Sequence, residues 1–177
     1  MTKSRMASPA ERGLRERVLG ASPIPVGYRI SYLANFFVGP VYAEISRSCG
    51  LARSEFVVLF CLRNVGELTA QDVCQITGRP KNSVSQAVTK LAAAGLIRRR
   101  TDEQDARRAI LGLTTRGREL YERLIPLFRL REEQMLAVLT PREREQFERL
   151  LRKLTLRPDD WENAPVTERP DDPSETA

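Results

Sequence analysis

Apolar residues return at helical spacing over residues 28–48, which predicts a first long helix with a kink at Pro40. The next apolar stretch, residues 56–62, is hydrophobic nearly all round, as is typical of a buried helix. Ser54 is the expected N-cap of this second helix and Gly66 is its expected stop signal. These residues therefore predict helices packed around an apolar core.

Two shorter helices follow, separated by a glycine turn. Thr69 has the position of an N-cap, and Asp72 stands three residues later, where a capping box needs its carboxylate. Gly78 ends this helix, Pro80 lies where the first turn of the next helix tolerates proline, and Gly95 ends that next helix. Two helices joined in this way predict a helix-turn-helix.

A charged hairpin comes directly after the second of these helices. Residues 97–114 predict two short strands joined by a polar tip, with Leu111 and Leu113 on one face toward the core. The arginines of this hairpin are Arg98, Arg99, Arg100, Arg107 and Arg108. A basic hairpin in this place predicts the wing of a winged-helix domain that binds a polyanion.

Two more helices are predicted after the hairpin. Thr115 is the expected cap of a long helix that Pro126 should bend, and Thr140 with Pro141 opens the last helix. The first helix and these two offer more apolar surface than a small winged helix can cover. Exposed surface of that size usually marks an interface, so we expect an oligomer.

Both ends of the chain are expected to lack a fixed fold. Residues 1–26 are polar and broken by prolines, which predicts a flexible arm in which Leu14, Val18 and Leu19 allow one short amphipathic turn or two. Residues 157–177 combine prolines with acids, which predicts a disordered acidic tail in which only Trp161 is expected to dock. No apolar run reaches bilayer length and no secretory signal is evident, so we expect a cytoplasmic protein without a membrane partner.

Basic charge is concentrated in one part of the chain. The net charge is +6, but residues 79–118 alone carry ten basic and three acidic side chains, a net charge of +7. The rest of the chain is therefore slightly negative. A concentrated basic segment over the predicted helix and hairpin indicates a nucleic-acid face.

The second helix of the helix-turn-helix is expected to read DNA. The side opposite its apolar stripe carries short and amide side chains, which can meet base edges in the major groove. The predicted DNA contacts of this helix are Lys81, Asn82, Ser83, Ser85, Gln86, Thr89 and Lys90.

The hairpin adds further predicted DNA contacts. Arg107 and Arg108 lie near its tip and are expected to enter the minor groove, with Asp105 holding Arg107 in place. Arg98 and Arg99 are also predicted contacts. For residues 98–100, a structural role and a phosphate contact both remain open.

A longer motif runs through these elements. Its parts are Lys90-Leu91, Gly95-Leu96-Ile97 and Asp105-x-Arg107-x-x-x-Leu111-x-Leu113-Thr114. Over about residues 28–155 the chain resembles the MarR family of bacterial transcriptional regulators. Pro80-Lys81 departs from the family, which often has an acidic or small polar cap at this point.

The resemblance implies the architecture. A mainly α (α+β) domain is expected at residues 27–156, with a winged helix-turn-helix DNA-binding lobe at 51–115 and dimerisation helices at 27–49 and 115–156. The resemblance also implies a homodimer on a pseudo-palindromic, double-stranded DNA operator. Such a protein usually represses transcription until a small-molecule effector releases it from the DNA.

The sequence favours a small organic effector over a metal, although a thiol switch remains open. The chain has no histidine and its three cysteines lack CxxC spacing, so we expect no metal and no cofactor. Cys49 is the thiol of an alternative, redox-responsive regulator. An aromatic acid or acyl thioester would suit a pocket predicted to be lined by Arg29, Tyr32, Phe36, Phe56, Phe60 and Phe128.

Two other functional classes agree less well with the sequence than a regulator does. The chain has no phosphate-binding glycine loop, no serine nucleophile motif and no paired carboxylates in an apolar setting, so we expect no enzyme activity. An architectural winged helix that binds DNA without selecting a sequence remains as a further alternative.

Overall fold

The computed structural model describes residues 8–101 and 108–156, which form seven helices and a three-stranded sheet. The fold is mainly helical, as predicted. Two compact units divide the chain, residues 1–133 and 134–177. In chain order the elements are α1 (Pro9–Ala21), α2 (Pro25–Cys49), α3 (Arg53–Asn64), β1 (Leu68–Thr69), α4 (Ala70–Thr77), α5 (Lys81–Ala93), β2 (Ile97–Thr101), β3 (Ala109–Leu113), α6 (Thr115–Leu136) and α7 (Pro141–Thr155).

The arm predicted over residues 1–26 contains the 13-residue helix α1, which is longer than the one or two amphipathic turns expected there. Ser8 Oγ accepts the Glu11 backbone N–H at 3.2 Å, and the Glu11 carboxylate accepts the Ser8 N–H at 2.6 Å. This capping box satisfies two backbone donors, and Pro9 follows at a position where a helix tolerates proline. The proline that suggested a broken segment therefore helps to start a helix.

The predicted first long helix is confirmed as α2, which begins at Pro25 rather than Tyr28. It ends at Gly50, whose φ of 69° lies in the left-handed region that favours glycine. Val41 and Ile45, near its C-terminal end, are buried. Its N-terminal half exposes the apolar side chains of Val26, Tyr28, Ile30, Leu33 and Phe36.

α3 is the predicted buried helix, but its predicted cap is wrong. The helix begins at Arg53, so Ser54 already lies inside it. The Glu55 carboxylate instead accepts the Ala52 N–H at 2.9 Å and satisfies one donor of the first turn. Glu55 is thereby held in the interior, where its side chain is only 9% exposed.

The helix-turn-helix is formed by α4 and α5, as predicted. The Thr69 N–H donates to Asp72 Oδ2 at 2.7 Å, and the Asp72 N–H donates to Thr69 Oγ1 at 3.1 Å, which confirms the capping box. Gly78, with a φ of 62°, ends α4 and makes the turn.

The sheet is antiparallel in the order β1-β3-β2. β2 and β3 are the two predicted strands of the hairpin, with Ile97 opposite Leu113. β1 was not predicted; it pairs Leu68 with Leu111 along the other edge of β3. Leu111 and Leu113 are buried, as predicted, so the hairpin is fixed to the core of the first unit.

α6 packs closely against the end of α5. Its cap is Thr114 rather than the predicted Thr115, because Thr114 Oγ1 accepts the Gly117 N–H at 3.1 Å. A Cβ atom built on Gly117 would collide with the Leu96 carbonyl oxygen. Only glycine therefore allows this approach of helix and backbone.

α7 begins with a capping box, which agrees with the start predicted at Thr140 and Pro141. The Thr140 N–H donates to Glu143 Oε2 at 2.8 Å, and these hydrogen bonds lower the pKa of Glu143 below its ordinary value. Leu150, Leu151 and Leu154 are exposed along this helix.

Within residues 8–101 and 108–156, no helix combines the length and the apolar character that a bilayer crossing requires. The predicted acidic tail, with Trp161, lies outside the described residues.

Candidate nucleic-acid interface

α5 separates a buried apolar stripe from an exposed polar face. The buried residues are Val84, Ala87, Val88 and Leu91. Asn82, Ser85 and Gln86 are exposed on the other side, whereas Ser83 is half-buried. The helix contains no acidic residue, so a polyanion would meet hydrogen-bonding groups without like-charge repulsion.

The amino end of α5 has no side-chain cap. Pro80 is the residue before the helix, not its first residue, and its carbonyl accepts the N–H groups of Ser83 and Val84 at 3.0 and 3.2 Å. The amides of Lys81 and Asn82 precede the first helical hydrogen bond. Because the helix dipole favours negative charge here, this end suits a phosphate group.

Two predicted DNA contacts on α5 already have protein partners. Thr89 Oγ1 donates to the Ser85 carbonyl at 3.0 Å. Lys90 Nζ lies 3.5 Å from Glu55 Oε1, and the lysine side chain remains 71% exposed. Lys90 is thus held toward α3 while its charge stays accessible to solvent.

Glu67, which precedes β1, binds two of the hairpin arginines. Its Oε1 accepts Arg98 Nη2 at 3.0 Å, and its Oε2 accepts Arg100 Nη2 at 2.8 Å. Arg98 lies opposite Gly112, where a Cβ would come within 3.2 Å of Arg98 Nε, so glycine leaves room for the guanidinium. Hydrogen bonds from Arg100 and then Arg98 lower the pKa of Glu67. The contacts of Arg98 and Arg100 favour the structural role for both residues.

Arg99 and Arg108 are two further arginines of the hairpin that line one groove. They line a groove of about 250 Å³ together with Ala70 and Gln71 of α4. Neither arginine has a hydrogen bond or ion pair within the described part of the chain. The pKa of Asp72 is lowered mainly by hydrogen bonds from Thr69, with a smaller contribution from the charge of Arg108. Arg99 and Arg108 are therefore the hairpin cations that form no hydrogen bond or ion pair within the described residues.

The tip of the hairpin, residues 102–107, lies outside the described residues. Arg107, the predicted minor-groove contact, and Asp105, which is predicted to position it, belong to this tip. Their roles stay predictions.

The aromatic residues of the predicted ligand pocket form two groups. Tyr32 and Phe36 lie with ring centroids 4.4 Å apart, and the Arg15 guanidinium stands 5.5 and 5.3 Å from these rings. Arg29, the predicted carboxylate partner, donates to the Pro25 carbonyl at 3.0 Å.

The second group surrounds Phe56, which is 2% exposed. Phe128 stacks on Phe56 at 4.6 Å, and Phe60 lies 6.4 Å away. Tyr42 and Tyr121 also belong to this group, and Phe37 joins it through Phe128. No ring contact joins Tyr32 or Phe36 to it among residues 8–101 and 108–156. The aromatic rings of the predicted pocket therefore fall into two groups, and their role as one ligand pocket stays a prediction.

A larger groove, of about 1170 Å³, is lined by the end of α2, the C-terminal half of α5 and the first half of α6. Leu91 and Leu96 form part of its apolar wall, and Lys90, Arg118 and Arg123 bring positive charge to it. None of the six predicted ligand residues lines this groove.

The cysteines differ in their surroundings. Cys61 is buried, and burial raises the pKa of its thiol. Cys49 is exposed, and its Sγ donates to the Ile45 carbonyl at 3.1 Å. Among the described residues, no group of three or more His, Cys, Asp or Glu side chains could hold a metal ion.

Glu67, Glu55 and Arg15 are the charged residues of these sites that the sequence did not reveal. Glu67 is recognisable only once β1 is known, and a two-residue strand has no periodicity. Glu55 could have been found from its place three residues after Ala52, where a capping carboxylate belongs. Arg15 lies on α1, in a segment for which the sequence predicts a flexible arm with a short helical turn or two.

The comparison of sequences agrees with this geometry. Residues 50–108 match the model of the MarR family. The chain is also 30% identical over 88 residues to an uncharacterized HTH-type transcriptional regulator, YwoH, from Bacillus subtilis. That match covers 50% of this chain and 64% of YwoH, slightly less than two thirds of the relative's length.

Solved structures extend the likeness beyond the matched segment. The fold is similar to that of BpsR from Bordetella bronchiseptica, with a TM-score of 0.64 and 29% sequence identity. The similarity covers 73% of this chain and 92% of BpsR, whose DNA binding is regulated by 6-hydroxynicotinic acid. A MarR-family regulator from Silicibacter pomeroyi gives a TM-score of 0.64 at 28% identity, covering 82% of this chain and 97% of its own.

Proposed function

We propose that this chain is a member of the MarR family of winged helix-turn-helix transcriptional regulators and a homodimeric repressor that binds a pseudo-palindromic DNA operator. The observation that carries the proposal is the acid-free face of α5, where Asn82, Ser85 and Gln86 are exposed together. Amide and hydroxyl side chains of this kind hydrogen-bond to base edges in the major groove.

The hairpin supplies the contacts that position the protein on the duplex. Arg99 and Arg108 form no hydrogen bond or ion pair among the described residues and line the groove beside α4, so they are suited to phosphate oxygens. We include Arg107 as a minor-groove contact and the amino end of α5 as a phosphate site. We propose no direct DNA contact for Arg98, because its guanidinium already donates to Glu67.

The homodimer is supported by apolar surface that the described chain leaves uncovered. α2 exposes Ile30, Leu33 and Phe36 along its N-terminal half, and α7 exposes Leu150 and Leu154. Apolar faces of this kind on long helices usually mark an interface. A second copy would cover them and would place two recognition helices on one duplex, about one helical turn apart.

A small aromatic or acyl-type acid is the proposed effector. BpsR, which is 29% identical to this chain, is regulated by 6-hydroxynicotinic acid, an aromatic acid. A ligand of this class would bind the DNA-free protein more tightly than the DNA-bound protein and so release the operator.

Selection from a random duplex library by the full-length protein tests the proposal. The expected result is an enriched inverted repeat with half-sites about 10 base pairs apart. Retention of DNA without any enriched sequence would instead support the architectural alternative and overturn the operator-binding function.

A further inference from the structure

We propose that Glu67 determines specificity, because by holding Arg98 and Arg100 it lowers the affinity of the hairpin for DNA of unrelated sequence. The inference rests on the proposed function, for which it names a residue that discriminates against the wrong duplex. A regulator selects its operator by the difference between two affinities. Weakening the wrong complex therefore serves it as well as strengthening the right one.

The two faces of the β2–β3 hairpin carry different arginines. Successive side chains of a strand point to opposite faces, so Arg99 lies on one face of β2, whereas Arg98 and Arg100 lie on the other. Arg99 is opposite the buried Leu111 and lines the groove beside α4, and we call this side the Arg99 face. Arg98 is opposite Gly112 on the other side, which we call the Glu67 face.

Glu67 cancels one of the two positive charges on the Glu67 face. Its carboxylate oxygens accept separate guanidinium groups, Oε1 from Arg98 at 3.0 Å and Oε2 from Arg100 at 2.8 Å. Hydrogen bonds from Arg100 and then Arg98 lower the pKa of Glu67, so the carboxylate stays ionised at neutral pH. Arg98 Nη1 also donates to the Leu113 carbonyl at 3.4 Å. These guanidinium groups are thereby directed toward protein acceptors.

Gly112 makes room for this ion pair. A Cβ atom built on Gly112 would lie 3.2 Å from Arg98 Nε and 3.3 Å from Glu67 Oε1, which is closer than a Cβ ordinarily comes. Gly112 is not among the glycines with a positive φ, so its backbone conformation does not require glycine. The space that the Arg98–Glu67 pair occupies does require it.

The three side chains remain within reach of a polyanion. Arg98 is 60% exposed, Arg100 is 49% exposed and Glu67 is 38% exposed. An ion pair this exposed stabilises the folded state only slightly. An uncancelled cation, by contrast, adds a sequence-independent contact to every duplex that it reaches. The charge of Glu67 therefore matters more for the choice of DNA than for the fold.

The salt dependence of binding to a scrambled version of the selected operator tests this role. Fluorescence anisotropy of the full-length protein between about 0.05 and 0.2 M salt gives the slope of log affinity against log salt. Glu67→Gln should bind the scrambled duplex roughly three- to tenfold more tightly than wild type at physiological salt, with a slope steeper by about 0.9, the value for one more phosphate contact. An unchanged slope, or weaker binding to both duplexes as a merely structural role would give, would overturn the proposal.

The operator affinity of Glu67→Gln should rise less than its affinity for the scrambled duplex. Base contacts on α5 fix the operator complex, and the Arg99 face supplies its phosphate contacts. The ratio of operator affinity to scrambled-duplex affinity should therefore fall. A ratio equal to that of the wild type would contradict a role in specificity.

Glu122→Gln is the matched control. Glu122 also accepts an arginine, Arg63 Nε at 2.8 Å, and is 48% exposed, but it lies on α6 rather than at the hairpin. The control makes the same change of charge and should leave the slope on the scrambled duplex unchanged. If Glu122→Gln steepens the slope as much as Glu67→Gln does, net charge alone explains the effect and the proposal is wrong.

Arginine variants test whether Glu67 acts through its two partners. Adding Arg98→Gln and Arg100→Gln to Glu67→Gln should remove the increase in slope. A slope that stays steep in this triple variant would mean that Glu67 repels DNA directly, which would overturn the proposal. A wild type that prefers no sequence would overturn the proposed function, whereas the slopes of the variants on the scrambled duplex would still show whether Glu67 keeps the arginines from phosphate.

Discussion

Gln86 lies exposed on α5, one turn before the Lys90 ammonium. Its amide can donate and accept at one adenine, so Gln86→Ala should cost about 1–3 kcal/mol at that base pair and little at others. Competition between operators that differ at single positions measures this preference. Gln75→Ala, on the exposed side of α4, is the control and should leave the preference unchanged. Equal weakening on every sequence would make Gln86 a backbone contact.

Glu67 links the stability of the hairpin to pH. The pKa of Glu67 is lowered in the folded protein by Arg100 and Arg98. Its contribution to the free energy of unfolding is therefore fully present above the ordinary carboxyl pKa and is lost as the pH falls through the lowered pKa. The difference in thermal midpoint between wild type and Glu67→Gln should therefore stay constant from neutral pH to about pH 4.3 and then close.

Thermal melts across that pH range measure this difference. Glu148→Gln, at an exposed position on α7 without a partner among the described residues, is the control. If the difference in thermal midpoint between wild type and Glu67→Gln persisted unchanged below pH 3, the Glu67 carboxylate would pair with neither arginine.

Individual side chains could be predicted only as far as local pattern determines them. Asn82, Ser85 and Gln86 are exposed because the apolar residues of α5 fall on the other side, and that periodicity is visible in the chain. The ion-pair partners of Arg98 and Lys90 could not be predicted from the local sequence pattern. Glu67 is 31 residues away from Arg98, and only the tertiary fold brings the two together.

The contact between α6 and the end of α5 depends on Gly117. Gly117→Ala should destabilise the protein by about 1–3 kcal/mol, because its methyl group meets the Leu96 carbonyl, which is backbone and cannot rotate away. Chemical denaturation measures the loss. Gly13→Ala in α1 is the control, because nothing lies within 4 Å of its added methyl group. This control should be neutral or more stable by up to about 1 kcal/mol. An unchanged stability for Gly117→Ala would show that α6 and Leu96 are farther apart.

Helices were predicted better than the short elements between them. The capping boxes at Thr69 and Thr140 were recognisable because all their partners lie within three residues. β1 has two residues and exists only through its pairing with β3, so no local signal marks it. The full length of α1 was not predicted, because a proline such as Pro9 can either break a helix or occupy its first position.

The assembled protein is proposed to be a dimer because exposed apolar faces on α2 and α7 call for a partner. Phe36→Asp would place a charge on such a face of α2, where Phe36 is 49% exposed. Sedimentation at micromolar concentration should show dimers for the wild type and a shift toward monomers for this variant. A wild-type monomer would contradict the proposed interface.

Sequence-selective binding is tested most directly by the affinity of the full-length protein for its selected operator and for a scrambled duplex of the same length and composition. Fluorescence anisotropy at physiological salt gives the ratio of the two affinities. The account predicts a ratio of about 10³ or more that persists as salt rises, because base contacts on α5 add to phosphate contacts. A ratio near one, with both affinities falling in parallel as salt rises, would contradict it.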